Sequence, residues 1–318
     1  MIQDIGSKQY RCDFEKKYPK HDDILIYARG RDFLMKRTKE GYEFPTFADT
    51  YINELFDENG NITSEVWKGS VRSRYPHMGI YRTIAIDSQG YYIVDTDEIF
   101  KADGSLEYVG NEILRHYKPV YMSFGAATAA QIARWHEGNR YCGRCGGKMV
   151  PSDRERAMVC TKCQNMVFPK ICPAVTISVI HEDRLLLVRN RNSAFKKYAQ
   201  VAGYVEIGET FEDTVRREAY EETGLMLKNI TYYKNQPWAM TDAHMIGFVA
   251  EVEGRPDIKV QREELLEARW FCADEIPPDI ADRSLTYEMI RNFRDKYIKK
   301  TGESERYKEF YNLFDIGT

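Results

Sequence analysis

The stretch GYVEIGETFEDTVRREAYEETGL, Gly203 to Leu225, decides the fold. Thr210 carries a hydroxyl that can cap a helix N-terminus. Asp213, three positions on, can return the bond as a capping box, and Gly224 suits the left-handed residue that ends a helix. This spacing predicts a helix of about three to four turns. At about 100° per residue, Phe211, Val215 and Ala219 line one buried face, while Glu222 falls on the line of Val215 with Glu218 beside it. The stripe therefore turns from apolar to acidic, and Glu221 widens the acidic patch. Carboxylates spaced i, i+3 and i+4 repel, and partly buried ones also lose hydration, so the cluster is costly without a cation. The ordinary fate of a Glu-rich helix is a solvated face. Here Glu222 points where the core should be. A hard divalent ion with oxygen ligands, Mg²⁺ or Mn²⁺ rather than zinc, resolves the conflict, and such ions commonly bridge to phosphates. Arg217 can pair with Glu221 one turn on. Glu209, at the helix entry, can orient a water or brace Arg217. Gly203 and Gly208 bracket a tight loop that lets backbone approach a ligand closely.

Upstream, AVTISVI (174–180) and RLLLVRN (184–190) read as strands of a buried sheet, followed by a helix and then QVAGYVEIG (200–208). Downstream, ITYYK, HMIGFVAEV and EARWFCA read as further strands, and a last helix runs from about Leu285 to Lys299. Helices packed on both sides of such a sheet give an α/β fold, an α/β/α sandwich with a mixed sheet. The expected domain spans 171–300, with a charged, aromatic tail over 301–318 that frays or packs onto the first domain. Residues 1–138 read as an α+β domain. The runs DILIYA, DFLMK, YRTIAID and YYIVD are β-rich, the last two forming a hairpin, and FGAATAAQIARWHEG (124–138) reads as a helix.

Between the two lies a segment, 139–170, rich in turn residues and too poor in apolar pattern to build a core. Cys142, Cys145, Cys160 and Cys163 give C-x2-C, fourteen intervening residues, then C-x2-C. Two residues between cysteines let both thiolates of a knuckle face one ion, and four thiolates make a closed tetrahedral zinc site with no open position. The zinc is then structural, and its binding energy replaces the missing core. Gly143, Gly146 and Gly147 are expected to supply unusual backbone angles. Cys12, Cys172 and Cys272 lack partners at ligand spacing and read as buried or inert thiols.

The 318 residues carry 46 basic and 49 acidic side chains, a formal charge of −3. That gives no strongly cationic field for nucleic acid or an anionic membrane. No apolar stretch approaches the roughly 20 residues of a membrane span, and the opening MIQDIGSKQYRCDFEKK is too polar for a secretory signal. A cytoplasmic location follows, in keeping with thiols used for metal.

The 203–225 stretch matches the Nudix box, G-x5-E-x7-R-E-U-x-E-E-x-G-U, at Gly203, Glu209, Arg217, Glu218, Glu221, Glu222, Gly224 and Leu225, with Ala219 where a larger aliphatic is usual. The order of parts, a β-rich N-terminal domain, a four-cysteine ribbon, the box and then Gln236-Pro237-Trp238, resembles the NADH pyrophosphatase branch of Nudix hydrolases over nearly the whole chain. The resemblance implies a metal site on Glu218, Glu222, the Ala202 carbonyl and Glu264, beside which Glu263 also stands. It implies metal-assisted attack of water on a pyrophosphate, with NAD(H) split to AMP and nicotinamide mononucleotide, and NAD caps removed from RNA. Glu221 or Glu264 is the base that takes the proton. It further implies that Glu155, Phe168, Tyr204 and the segment from Gln236 to Ala243 line the nucleotide site, and that the chain forms a homodimer.

The branch reads SQPWPFPxS where this chain reads NQPWAMTDA (235–243). A stiff aromatic wall has become a more flexible one, which bears on NAD(H) selectivity. Two other readings stand beside this one: hydrolysis of another nucleoside diphosphate linked to some group X, such as ADP-ribose or a dinucleoside polyphosphate, and a sensor that binds nucleotide without cleaving it. Sensors of that kind tend to lose box glutamates, and every one is present here.

Overall fold

A computed structural model describes residues 1–14, 17–75, 79–191, 197–278 and 283–301. The chain divides into two compact units, Ile171–Trp238 with the chain from Ala243 onward, and Ile2–Lys170 with Ala239–Asp242.

The first unit is built on a six-stranded mixed sheet. Its centre is Cys172–His181, which runs parallel to Ala243–Glu253 and antiparallel to Val201–Tyr204. Met226–Trp238 pairs with Ala243–Glu253, and Arg184–Asn190 pairs with Leu265–Cys272. Strand geometry sends alternate side chains to opposite faces, and Arg184–Asn190 shows the result. Leu186 and Val188 join Val215 and Ala219 of the box helix in one buried cluster. Leu185 and Leu187 join Tyr287, Ile290 and Phe293 of the last helix in another. The sheet is therefore covered on both faces, the α/β/α sandwich that the pattern implied. On the central strand the face away from Val175 and Ile177 carries Thr176 and Ser178, which are buried but bonded. Thr176 contacts Gln200 and Thr286, each at 3.2 Å, and Gln200 donates to Ser178.

The box helix runs Phe211–Thr223, with Thr210 and Asp213 forming the capping box and Gly224 closing it at φ 71°. Phe211 is a correction. At the first helical position it is 41% exposed, because the apolar stripe meets the sheet only from Val215 onward. The last helix is Leu285–Thr301. The helix expected before QVAGYVEIG is not found where the chain is described. Ala199 bridges Val188 in extended conformation, and residues 192–196 lie outside the described residues, as does the tail beyond 301.

In the second unit, Ile80–Ile86 and Gln89–Val94 form the expected hairpin inside a four-stranded sheet, and a second four-stranded sheet holds Asp32–Thr38. The helix runs Val120–Gly138, four residues longer at its start than the high-propensity run suggested, with Pro119 at its N-cap. It lies on the first sheet, where Gly125 faces the Tyr91 ring so closely that a Cβ would overlap it. Arg134 of this helix holds the Ala239–Asp242 segment, bonding Asp242 at 2.6 Å and the Ala239 carbonyl. The ribbon is a three-stranded sheet of Met149–Pro151, Met158–Cys160 and Met166–Val167. Among the described residues no helix is long and apolar enough to cross a membrane.

Candidate active site

Arg217 is the hub of the box. Its guanidinium binds Glu209 with two contacts of 2.6 and 2.9 Å, Glu218 at 2.7 Å, Glu221 at 3.1 Å and the Tyr204 carbonyl at 3.0 Å. Glu209 also accepts from Thr214 at 2.8 Å and from the Glu206 N–H at 3.1 Å. Of the two roles open to Glu209, bracing Arg217 is the one formed. Its carboxyl is drawn down to about 2, first by Arg217 and then by the Glu206 N–H. The bidentate pair fixes the loop to the helix, so that Gly208 at φ 93° completes a turn a side chain would strain.

Glu218 is half-buried. Burial raises its pKa, opposed by Arg217. A Cβ on Gly203 would strike its carboxylate, so the box glycine makes room for the charge beside the strand that carries the Ala202 carbonyl. Glu222 is 5% exposed, and its Oε2 has no hydrogen-bond partner. Its pKa is pushed up to about 8, by burial first and then by the charges of Glu218, Glu264 and Glu221. The charge of Glu264, and not that of its neighbour Glu263, is among those that act on Glu222.

The loop that carries Glu264 is held on the helix end. The N–H groups of Lys259 and Gln261 donate to the carbonyls of Thr223 and Glu222, at 2.8 and 3.0 Å. These orphan C-terminal carbonyls need donors, and backbone supplies them. No residue pattern signals this clasp, because main-chain donors have no residue signature.

An orphaned buried carboxylate oxygen, with further glutamates whose charges act on it, supplies oxygen donors of the kind a hard divalent cation takes. The residues present therefore fit the ion that the box implies.

Among the described residues the four cysteines are the group whose ligand atoms converge, all within 4.8 Å. Neighbouring sulfurs stand 3.3, 3.5 and 3.7 Å apart. The edge of a zinc–thiolate tetrahedron is about 3.8 Å, so the cage is slightly tight but of the right form. The N–H groups of Arg144, Lys162 and Cys163 donate to Cys142 and Cys160 at 3.4 Å, stabilising thiolate. Of the three ribbon glycines only Gly146 has positive φ. Gly147 is required by proximity instead, since a Cβ would lie 3.0 Å from the Cys160 sulfur, and Gly143 meets neither condition. Cys12 is exposed and Cys172 and Cys272 are half-buried. None of the three is joined in a disulfide, and the burial expected of them is not found.

Tyr204 is 52% exposed on the loop beside Glu218. Gln236 is fully buried, with its amide bonded to the Arg283 carbonyl and the Leu285 N–H, at 2.9 and 2.6 Å. Its visible work is to hold the start of the last helix. Pro237 and Trp238 are half-buried in the strand. Glu155 and Phe168 lie exposed on the ribbon, in the other unit.

A glycine-bounded loop and a glutamate helix set on a mixed sheet, with a donor set for a hard cation, define a metal-dependent Nudix hydrolase. The NUDIX domain description matches residues 170–293, and the NADH pyrophosphatase zinc ribbon description matches residues 139–168. The chain is 35% identical over 176 residues to the NAD-capped RNA hydrolase NudC of Shigella flexneri, covering 54% of this chain and 68% of that one. It is 36% identical over 160 residues to the Mannheimia succiniciproducens protein of the same name, covering 48% and 60%. A Nudix hydrolase structure from Nitrosomonas europaea aligns with TM-score 0.42 and 22% identity over 52% of this chain and 94% of that one. The chain belongs to the Nudix hydrolase family, in the branch that carries the NADH pyrophosphatase zinc ribbon, and that ribbon is a zinc site.

Proposed function

We propose that the protein hydrolyses the pyrophosphate of NAD(H) to AMP and nicotinamide mononucleotide, and removes NAD caps from RNA, with Mg²⁺ or Mn²⁺ held by Glu218, Glu222, Glu264 and the Ala202 carbonyl. The observation that carries this reading is the buried Glu222 carboxylate, its Oε2 unpartnered, under the charges of further glutamates. The printed names of its relatives support NAD as the substrate. When bound, the ion supplies charge neutralisation at the phosphates and a lower pKa for the attacking water.

The chain's own residues do the rest. Arg217 holds Glu221 and Glu218 at fixed places, and Glu209 holds Arg217. Glu221, half-exposed at the end of the helix, or Glu264 takes the proton of the water. Tyr204 offers a ring at the loop, and the reading also assigns nucleotide contacts to Glu155, Phe168, Gln236, Pro237 and Trp238. The reading divides the chain at 1–138, 139–170, 171–300 and 301–318, and takes the protein to act as a cytoplasmic homodimer.

A second substrate reading has an observation of its own. The segment NQPWAMTDA lacks the prolines and phenylalanine expected beside Trp238, and this favours a wider choice of nucleoside diphosphate-X compounds. Turnover of NADH, NAD⁺, ADP-ribose, dinucleoside polyphosphates and NAD-capped RNA with Mg²⁺ and Mn²⁺ in turn separates the two. Preference for NAD(H) supports the first, equal rates across the panel remove it, and no turnover of any member would leave only a binding role.

A further inference from the structure

The loop that presents Glu264 is clasped from two sides. One side is the box-helix end described above. The other is Arg191, the first residue beyond the strand Arg184–Asn190. Its N–H donates to the Glu264 carbonyl at 2.7 Å, and its Nε donates to the Arg262 carbonyl at 2.8 Å. Both bonds span more than seventy residues of sequence, and both fall within two residues of the Glu264 side chain.

The strand pairing explains why such a clasp is needed. Arg189 pairs with Glu267, but Asn190 pairs with Leu265, so a bulge interrupts the ladder just before Glu264. A bulge re-aims the side chains beside it and removes ladder bonds that would otherwise hold them. Below it, Glu264 and Leu265 donate to the Gln261 carbonyl of their own turn, at 3.2 and 2.9 Å. The Arg191 side chain supplies the cross-link that the ladder no longer does.

We propose that Arg191 is a positioning residue, whose guanidinium fixes the 261–264 turn so that Glu264 faces Glu222. It rests on the metal reading of the glutamate cluster given above. Arg191 acts on the ion only through Glu264, as groups behind a ligand commonly do, and loss of such support typically costs 10 to 100-fold in metal affinity.

The test is Mn²⁺ binding to the full, zinc-loaded chain, by calorimetry and by the Mn²⁺ spin-resonance signal, for wild type, Arg191→Ala, Arg191→Lys, Glu264→Gln and the Arg191→Ala/Glu264→Gln double variant. Arg191→Ala keeps the main-chain bond and loses the side-chain one. Its Mn²⁺ dissociation constant is expected to rise roughly tenfold, with zinc content and melting temperature in Mn²⁺-free buffer unchanged. Arg191→Lys, which keeps a donor for the Arg262 carbonyl, should recover most of the affinity. In the Glu264→Gln background the alanine change should add little, since both act through one ligand. In turnover the Mn²⁺ activation constant should rise while kcat at saturating Mn²⁺ is largely retained. Equal Mn²⁺ affinity in wild type and Arg191→Ala, or fully additive losses in the double variant, overturns the role of Arg191 and leaves the metal reading standing. A wild-type chain whose glutamates bind no Mn²⁺ overturns both.

Discussion

Replacing Glu222 by glutamine should stabilise the protein in buffer free of Mg²⁺ and Mn²⁺ while abolishing its hydrolase activity. The buried carboxyl has its folded pKa raised from 4.5 to about 8. Because the folded value is the higher one, the folded chain holds a proton that the unfolded chain has lost. The stabilising contribution is complete below about pH 4.5 and drains away as pH rises through 8. At pH 7.5 the three pH units crossed since 4.5, at 1.36 kcal/mol each, set a ceiling of about 4 kcal/mol on the penalty. Relaxation and water entry around a buried charge reduce such figures, so about 2 kcal/mol is the working value. Glutamine keeps the shape and cannot ionise, so Glu222→Gln should melt roughly 6 °C above wild type at pH 7.5. The two should coincide near pH 5. Differential scanning calorimetry from pH 5 to 8.5 reads this directly. Added Mn²⁺ should raise the wild-type melting temperature and leave the variant where it was, and kcat in the variant should fall by about a hundredfold or more. Parallel melting curves for the two proteins across the whole range would refute the claim that Glu222 is a buried charge awaiting a cation.

Other changes test the remaining parts. Gly203→Ala places a methyl group in the Glu218 carboxylate, so it should weaken Mn²⁺ binding and lower kcat, with a stability cost on the order of 1–3 kcal/mol from overpacking. A fully active variant would contradict the close approach. Arg217→Gln frees Glu209, whose carboxyl Arg217 holds at about 2. A depressed carboxylate stabilises above its unfolded value near 4.5 and loses that as pH falls through 2, so the variant should acid-unfold at higher pH than wild type, as followed by circular dichroism. Cys142→Ser should lose zinc by elemental analysis and lower the melting temperature. Full zinc occupancy with unchanged melting would argue against a structural ion.

The catalytic helix was legible because helix chemistry is local. Thr210, Asp213 and Gly224 announce its ends, and a glutamate on the line of Val215 announces its function. The ribbon was legible for the same reason, since metal geometry imposes short spacings. What escaped was set by distant backbone. The bulge beside Leu265, the clasp of Lys259 and Gln261 on the helix end and the contacts of Arg191 join segments 36 to more than 70 residues apart, each through at least one main-chain atom. Such atoms are the same in every residue. Phe211 was misread because periodicity gives the direction of a side chain and not how far the sheet extends beneath it. The role of Gln236 was hidden for a related reason, its partners lying on a helix start that carries no matching signal.

The chain offsets crowded negative charge in two ways, and the contrast separates scaffold from chemistry. In the ribbon the sulfurs already stand 3.3–3.7 Å apart, and N–H groups donate to two of them. A site with every position filled by protein can stabilise a fold but leaves nowhere for substrate or water. In the box, Arg217 neutralises Glu209, Glu218 and Glu221 from one side, while Glu222 Oε2 is left without any donor. Had the arginine satisfied all the carboxylates, the cluster would be an ion-pair network with no work left for a cation. Had it satisfied none, their repulsion would splay the turn of helix that bears them. Partial neutralisation keeps the ligands ordered and the charge incomplete, as a site must be if it is to take up an exchangeable ion together with the phosphates of its substrate.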